Sequence, residues 1–361
     1  MHATRPLQVS SHNRFSKNLL LCFDAFGTLY KPNVAVPAAY ALAAQRHGIN
    51  CVADGVSSIP IEQWTPAEYE PVSVSFKQAY KRQSSENPNY GKETGLGAEK
   101  WWANVIRGTF KPFLKLQEEV PDALIAELLK RYSSSEGYDL FPDAKAFFDK
   151  LRQARAQPSA SPWRWEKVVV GVISNSDDRV PSILSSLGLN VQPRRVGSEI
   201  GPIAESEDIS FVVHSYDVGV EKPDRRIFNA ARDLGKALGS MDDCYRLYVG
   251  DSIGQDYHGA KNAKWHPLLI DRDYKIGGTK PIELVNNWIH VVRGLDELVN
   301  YDKYIEAHWE LKSKARESKA QESKAQESKA QESKAQESKA QESKAQESKA
   351  QEVKTQSGEE G

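Results

Sequence analysis

The sequence predicts an α/β protein, a parallel sheet with helices on both faces, interrupted once by a helical insertion. Three observations carry this. Short, uninterrupted apolar runs recur along the chain with helix-like stretches between them, and strands that lack polar alternation are those buried on both faces. Residues capable of chemistry follow several of these runs directly, where ligands sit in such sheets. Between the first run and the second lie about 140 residues, far more than a crossover needs.

The elements follow in order. Residues 19–23 (LLLCF) read as the first strand. The long interval after it carries helical periodicity at 36–47 (VPAAYALAAQRH), 75–83, 98–110 and 121–132, which implies a separate helical subdomain over the mouth of the sheet. A helix is expected at 144–154, then a strand at 168–173 (VVVGVI) and a helix at 180–187. Strands at 211–214 (FVVH), 245–249 (YRLYV) and 267–270 (PLLI) alternate with helices at 226–238 and 256–263. The expected organisation is therefore a core of residues 18–33 and 136–300 around a helical insert of residues 34–135.

The two ends differ in kind. Residues 1–17 carry Arg5, Arg14 and Lys17 and no acid, a faint echo of a transit peptide, and read as a disordered leader. Residues 313–352 repeat a pentad, first SKARE and then SKAQE. Five residues advance a helix by ~500°, so alanine, its one apolar member, spirals around every face and supports no core. Residues 301–361 are expected to be a disordered or solvated-helix tail whose partners the sequence does not name.

Composition narrows the function. The 361 residues are 39% hydrophobic and 27% charged with a net charge of −1, which gives no electrostatic case for nucleic acid or a membrane surface. No apolar run approaches the ~20 residues of a spanning helix. Three scattered cysteines follow no metal or disulfide spacing, which fits a reducing compartment, and a cytoplasmic address is expected.

The chemistry stands at the strand ends. The first strand runs into Asp24-Ala25-Phe26-Gly27-Thr28, where Gly27 permits a tight turn and Thr28 with nearby N–H groups can face an anion beside Asp24. Ser174 and Asn175 follow the second strand, Lys222-Pro223-Asp224 the third, and Asp251 with Asp256 the fourth. Each signal alone is weak. Together, a carboxylate, a hydroxyl, an ammonium and an acidic pair are placed to converge in one crevice.

This set resembles the four motifs of the haloacid dehalogenase superfamily, and the insert lies where that superfamily places a type 1 cap on its Rossmann-like core. Phe76-Lys77-Gln78-Ala79-Tyr80, Gln83-Ser84, Pro88-Asn89-Tyr90-Gly91 and Trp101-Trp102 are similar to the subgroup of haloacid dehalogenase-like hydrolase domain-containing protein 3. The resemblance implies a small-molecule, phosphorylated substrate, attacked by Asp24 to give an aspartyl intermediate that water hydrolyses. Ser174, Asn175 and Lys222 would bind the phosphoryl group. Mg²⁺ would sit between Asp24, the Phe26 carbonyl and Asp251, with Asp256 supporting the metal shell or orienting Lys222.

Phe26 departs from that pattern. Phosphatases of the superfamily carry a second aspartate there, which protonates the leaving group, and phenylalanine cannot. An aromatic residue at this position is familiar from 2-haloacid dehalogenases, but their metal-free sites carry a neutral residue where this chain has Asp251. Three readings stay open: a Mg²⁺-dependent phosphohydrolase, a non-catalytic binding protein, and a dehalogenase.

Other residues read more plainly. At least one of Trp101 and Trp102 is expected to pack the insert, and His214 and His258 to be structural. Asp177-Asp178-Arg179 are expected to cap the following helix, and Arg225-Arg226 to be solvated or salt-bridged.

Overall fold

The computed structural model describes residues 18–53, 56, 59–157, 165–204, 206–239, 244–276, 282–284 and 287–300, with 321, 323, 326–328 and 331. The expected leader lies outside the described residues, as does nearly all of the tail; in the separate unit Asn300–Gly361, positions 321, 323, 326–328 and 331 are exposed and helical.

Strand β1 (Asn18–Phe23) is buried almost throughout. The chain leaves it through β2 (Tyr30–Pro32), builds the insert from α1 (Val36–Arg46), α2 (Pro66–Glu86), the short turn α3 (Pro88–Gly91), α4 (Ala98–Phe110) and α5 (Asp122–Arg131), and returns through β3 (Tyr138–Leu140). The core continues with α6 (Pro142–Ala156), β4 (Lys167–Ser174), α7 (Val180–Ser186), β5 (Phe211–His214), α8 (Ser215–Val218), α9 (Arg225–Ala237) and β6 (Tyr245–Gly250). A π-helical turn (Ile253–His258), α10 (Gly259–Asn262), β7 (His266–Ile270), the small pair β8 (Ile282–Leu284) and β9 (Asn287–Ile289), and β10 (Val291–Val292) complete it.

The main sheet is six-stranded and parallel, in the order β10-β7-β6-β1-β4-β5. Successive side chains of β1 point to opposite faces. Leu20 and Cys22 join Ile227, Phe228 and Ala231 of α9, while the Phe23 ring meets Phe147 and Phe148 of α6. Helices therefore cover both faces, as expected. Because β4 and β6 flank β1, the connections diverge there, and a crevice opens at its carboxyl end.

The insert has its own core, in which α1, α2, α4 and α5 bring together Tyr40, Phe110, Leu124 and Leu128. Helix α2 runs well beyond the expected 75–83. Thr65 and Glu68 form a reciprocal capping box at its start, and Pro66 at the first helical position has no N–H to leave unpaired. The antiparallel β2–β3 pair, tying Tyr30 to Leu140, frames the insert's entry and exit. No helix among the described residues is long and apolar enough to cross a membrane.

Candidate active site

Asp24 is the first residue beyond β1, and its N–H donates to the Val249 carbonyl of β6 over 2.8 Å. The loop that follows is held underneath by Arg272, whose guanidinium donates to the carbonyls of Gly27 (3.1 Å) and Thr28 (2.9 Å) and pairs with Asp143. Gly27 has φ +83°, and any Cβ there would overlap the Asp251 carboxylate. Glycine is thus required twice over, for the backbone conformation and for the close approach of the acid.

Lys222 is buried with all three ammonium donors engaged. Its Nζ lies 2.6 Å from Asp24 Oδ1, 2.7 Å from Asp256 Oδ1 and 3.0 Å from the Tyr248 hydroxyl. Tyr248 in turn donates to Asp256 Oδ1 over 2.8 Å, and the Ser252 N–H donates to Asp256 Oδ2 over 2.9 Å. A Cβ on Gly250 would overlap Asp256, so glycine at the end of β6 lets that carboxylate fold back on the strand. Of the two roles expected for Asp256, these contacts support the orientation of Lys222.

Asn175 does something the sequence did not suggest. Its Oδ1 accepts the Lys222 N–H over 2.6 Å, and its Nδ2 donates to the Lys222 carbonyl over 3.1 Å. The amide expected to meet substrate instead grips the main chain of the lysine. Ser174 ends β4, buried and in register with His214. Thr28 is fully buried, and its hydroxyl has no hydrogen-bond partner among the described residues. The Phe26 ring is 51% exposed and stands edge-on to Tyr30 and Tyr138.

The electrostatics follow from burial. Burial pushes the Asp24 carboxyl up to about 7, with Asp256 and Asp251 adding to the effect and Lys222 opposing it. Burial alone would lower Lys222, but Asp24 and Asp256 more than reverse it and hold the ammonium above its ordinary value. Partial burial and the Asp256 carboxylate also raise Asp251. Three carboxylates face one ammonium, which leaves two negative charges uncompensated. Asp24, Asp251 and Asp256 can each present an oxygen, all within 4.8 Å of one another. An all-oxygen set with that excess charge fits a hard divalent cation such as Mg²⁺.

The surroundings refine one expectation and bear out others. Of the three residues expected to cap α7, Arg179 is its N-cap and no side chain caps the helix itself; the Asp177 carboxylate accepts the Arg179 N–H just ahead of it (3.1 Å), pairs with the Arg179 guanidinium (2.8 Å) and accepts from Trp102 Nε1 of the insert (3.0 Å). Trp101 is buried, with its indole N–H on the Asn87 carbonyl. His214 is buried with Nδ1 3.2 Å from Asp217, and Arg226 pairs with Asp224 at the start of α9. Tyr248 and Arg272 were not singled out from the sequence, and Asp177 and Arg179 were singled out only as helix-capping residues, not as an ion pair that meets Trp102. For Tyr248 the signal was a hydroxyl in the buried half of β6, between Leu247 and Val249.

A model of the haloacid dehalogenase-like hydrolase family matches residues 19–264. The chain belongs to this family. Among its haloacid dehalogenase-like relatives, domain-containing protein 3 of Mus musculus is 30% identical over 264 residues, covering 73% of this chain and 84% of that one. A putative uncharacterized hydrolase of Schizosaccharomyces pombe is 28% identical, covering 71% of this chain and 93% of its own. Among solved structures, a 2-haloacid dehalogenase from Pseudomonas syringae is similar at a TM-score of 0.44 and 17% identity, over 80% of this chain and 98% of that one. Likeness at that level says nothing of the reaction.

Proposed function

We propose that this haloacid dehalogenase-like hydrolase is a Mg²⁺-dependent phosphohydrolase acting on a small phosphorylated molecule through an aspartyl-phosphate on Asp24. The observation that carries the reading is the trio of the buried Asp24 and Asp256 with the exposed Asp251, and Lys222 beside it. Asp24, Asp251 and the Phe26 carbonyl would hold the cation, which when bound supplies positive charge against the phosphoryl oxygens.

Asp24 Oδ1 is engaged by Lys222, so Oδ2 is the oxygen available to attack phosphorus. As the Asp24–phosphorus bond forms, the bond to the leaving oxygen breaks and its electron pair departs with that oxygen. Lys222 and the Ser174 hydroxyl offset charge on the phosphoryl oxygens. Water then attacks phosphorus, releasing phosphate and the Asp24 carboxylate. Without Lys222, the approach of a carboxylate to an anionic phosphate would meet strong repulsion. The insert serves as the cap.

Phe26 neither gives nor takes a proton. The enzyme is therefore suited to acyl phosphates and to esters of acidic alcohols or phenols, whose leaving groups depart unprotonated. A dehalogenase reading draws on Phe26 alone. A third carboxylate at Asp251, facing Asp24 with no cation between them, would oppose ionisation of the nucleophile.

Rapid acid quenching after mixing with radiolabelled acetyl phosphate and Mg²⁺ tests the covalent step. Hydroxylamine-labile label is expected on Asp24 and absent from Asp24→Asn. Turnover by the wild type with no labelled protein would remove the intermediate.

A further inference from the structure

A buried hydroxyl is unfavourable unless it is bonded, and the partners of the Tyr248 hydroxyl belong to the catalytic centre. Tyr248 is fully buried in β6, its ring edge-on to Phe228 of α9 (centroids 5.1 Å apart) in the apolar cluster that also holds Cys22 and Ile227. A phenylalanine would supply the same packing. The hydroxyl donates to Asp256 Oδ1 over 2.8 Å, accepts from Lys222 Nζ over 3.0 Å and lies 3.3 Å from the Ile173 carbonyl. Tyr248 belongs to β6 and Ile173 to β4, the strands on either side of β1, so the side chain reaches across the strand that delivers Asp24.

Lysine carries its charge on a flexible stem, so the ammonium is placed by whatever it touches. Asn175 grips only the main chain of Lys222. Of the groups on Nζ, Asp24 and Asp256 are carboxylates and Tyr248 is a phenol. Another carboxylate in its place would add negative charge where an incoming phosphoryl group needs positive charge. The phenol completes the set as a neutral acceptor, fixed by its strand and by the packing of its ring.

These partners part company during the reaction. When Asp24 attacks phosphorus its carboxylate charge is lost to the new bond, and its hold on the ammonium weakens. Asp256 and Tyr248 make and break no covalent bond, so the ammonium stays pinned between them while charge passes to the phosphoryl oxygens. We propose that Tyr248 is a positioning residue, its hydroxyl holding the Lys222 ammonium in place through phosphorylation and dephosphorylation of Asp24. Its part in turnover rests on the phosphohydrolase reading, while its hold on Lys222 stands without it.

Tyr248→Phe removes the hydroxyl and keeps the ring, and thermal unfolding establishes that the variant is folded. Steady-state kinetics on acetyl phosphate with Mg²⁺ should show kcat lower by roughly tenfold or more, the loss of one hydrogen bond to a charged group, with KM little changed. A second readout needs no turnover. With isotope-labelled lysine, magnetic resonance of the full chain should show a Lys222 ammonium whose protons exchange slowly with water, assigned by its disappearance in Lys222→Arg. That exchange should quicken in Tyr248→Phe. A kcat equal to that of the wild type, exchange as slow as in the wild type, or a wild-type Lys222 with no protected ammonium protons would overturn the proposal. A wild type that hydrolyses nothing would remove the phosphohydrolase reading and the part in turnover with it, and the exchange measurement would then decide whether Tyr248 holds Lys222.

Discussion

Asn175 holds both main-chain polar groups of Lys222, accepting its N–H over 2.6 Å and donating to its carbonyl over 3.1 Å. The lysine's ammonium then reaches Asp24 and Asp256 from a fixed main chain. Asn175→Ala is expected to leave the Lys222 charge in the site but to let its position drift. Misplacement of a catalytic group by about 1 Å costs on the order of 10²-fold in rate. Steady-state kinetics on acetyl phosphate should show kcat falling by that order with KM little changed.

Gly27→Ala should disturb the same centre from the other side. A left-handed backbone costs a residue with Cβ about 1–2 kcal/mol, and the new methyl would displace the Asp251 carboxylate. Denaturant unfolding should register the lost stability. Calorimetry should register a weaker Mg²⁺ affinity, and an unchanged affinity would detach Asp251 from the cation.

The Asp177–Arg179 pair supplies a pH-dependent element of stability. Burial would raise Asp177, but the hydrogen bonds and charge of Arg179 reverse this and hold it below its ordinary value. Its contribution is therefore complete above the unfolded aspartate value of about 3.9 and is lost as pH falls through the lower folded value. Asp177→Asn leaves Arg179 largely buried without its counter-charge, and breaking such a pair costs about 3 kcal/mol. Thermal unfolding should show that deficit at neutral pH and a narrowing gap between variant and wild type in acid below the aspartate range.

Phe26→Asp tests the missing proton donor. The ring is half exposed, so the substitution removes little packing. General acid–base catalysis typically contributes about 10²–10⁴-fold, and turnover of simple alkyl phosphates should rise by at least the lower figure. No gain would mean that proton transfer does not limit this enzyme.

The sheet was legible because its strands are continuous apolar runs and its chemical residues stand immediately after them, a relationship local in sequence. What escaped was non-local. The pairing of Tyr30 with Leu140 bridges the whole insert, and the bond from Arg272 to Gly27 spans most of the chain. No periodicity records either. Asn175 and Asp177 were noticed for their polarity, but their partners, the Lys222 main chain and Arg179 with Trp102, depend on how the loops meet in space. Helix α2 was cut short because its first turns are polar and contain Pro71, and the capping box at Thr65 and Glu68 was overlooked.

The central claim, that Asp24 transfers a phosphoryl group with the help of a divalent cation, is met most directly by one assay. Hydrolysis of acetyl phosphate and para-nitrophenyl phosphate is measured with and without Mg²⁺, for the wild type and Asp24→Asn. Turnover that requires Mg²⁺ and vanishes in a folded Asp24→Asn is the predicted result. Turnover that survives in Asp24→Asn, or no turnover of either substrate by the wild type with Mg²⁺, would contradict the account.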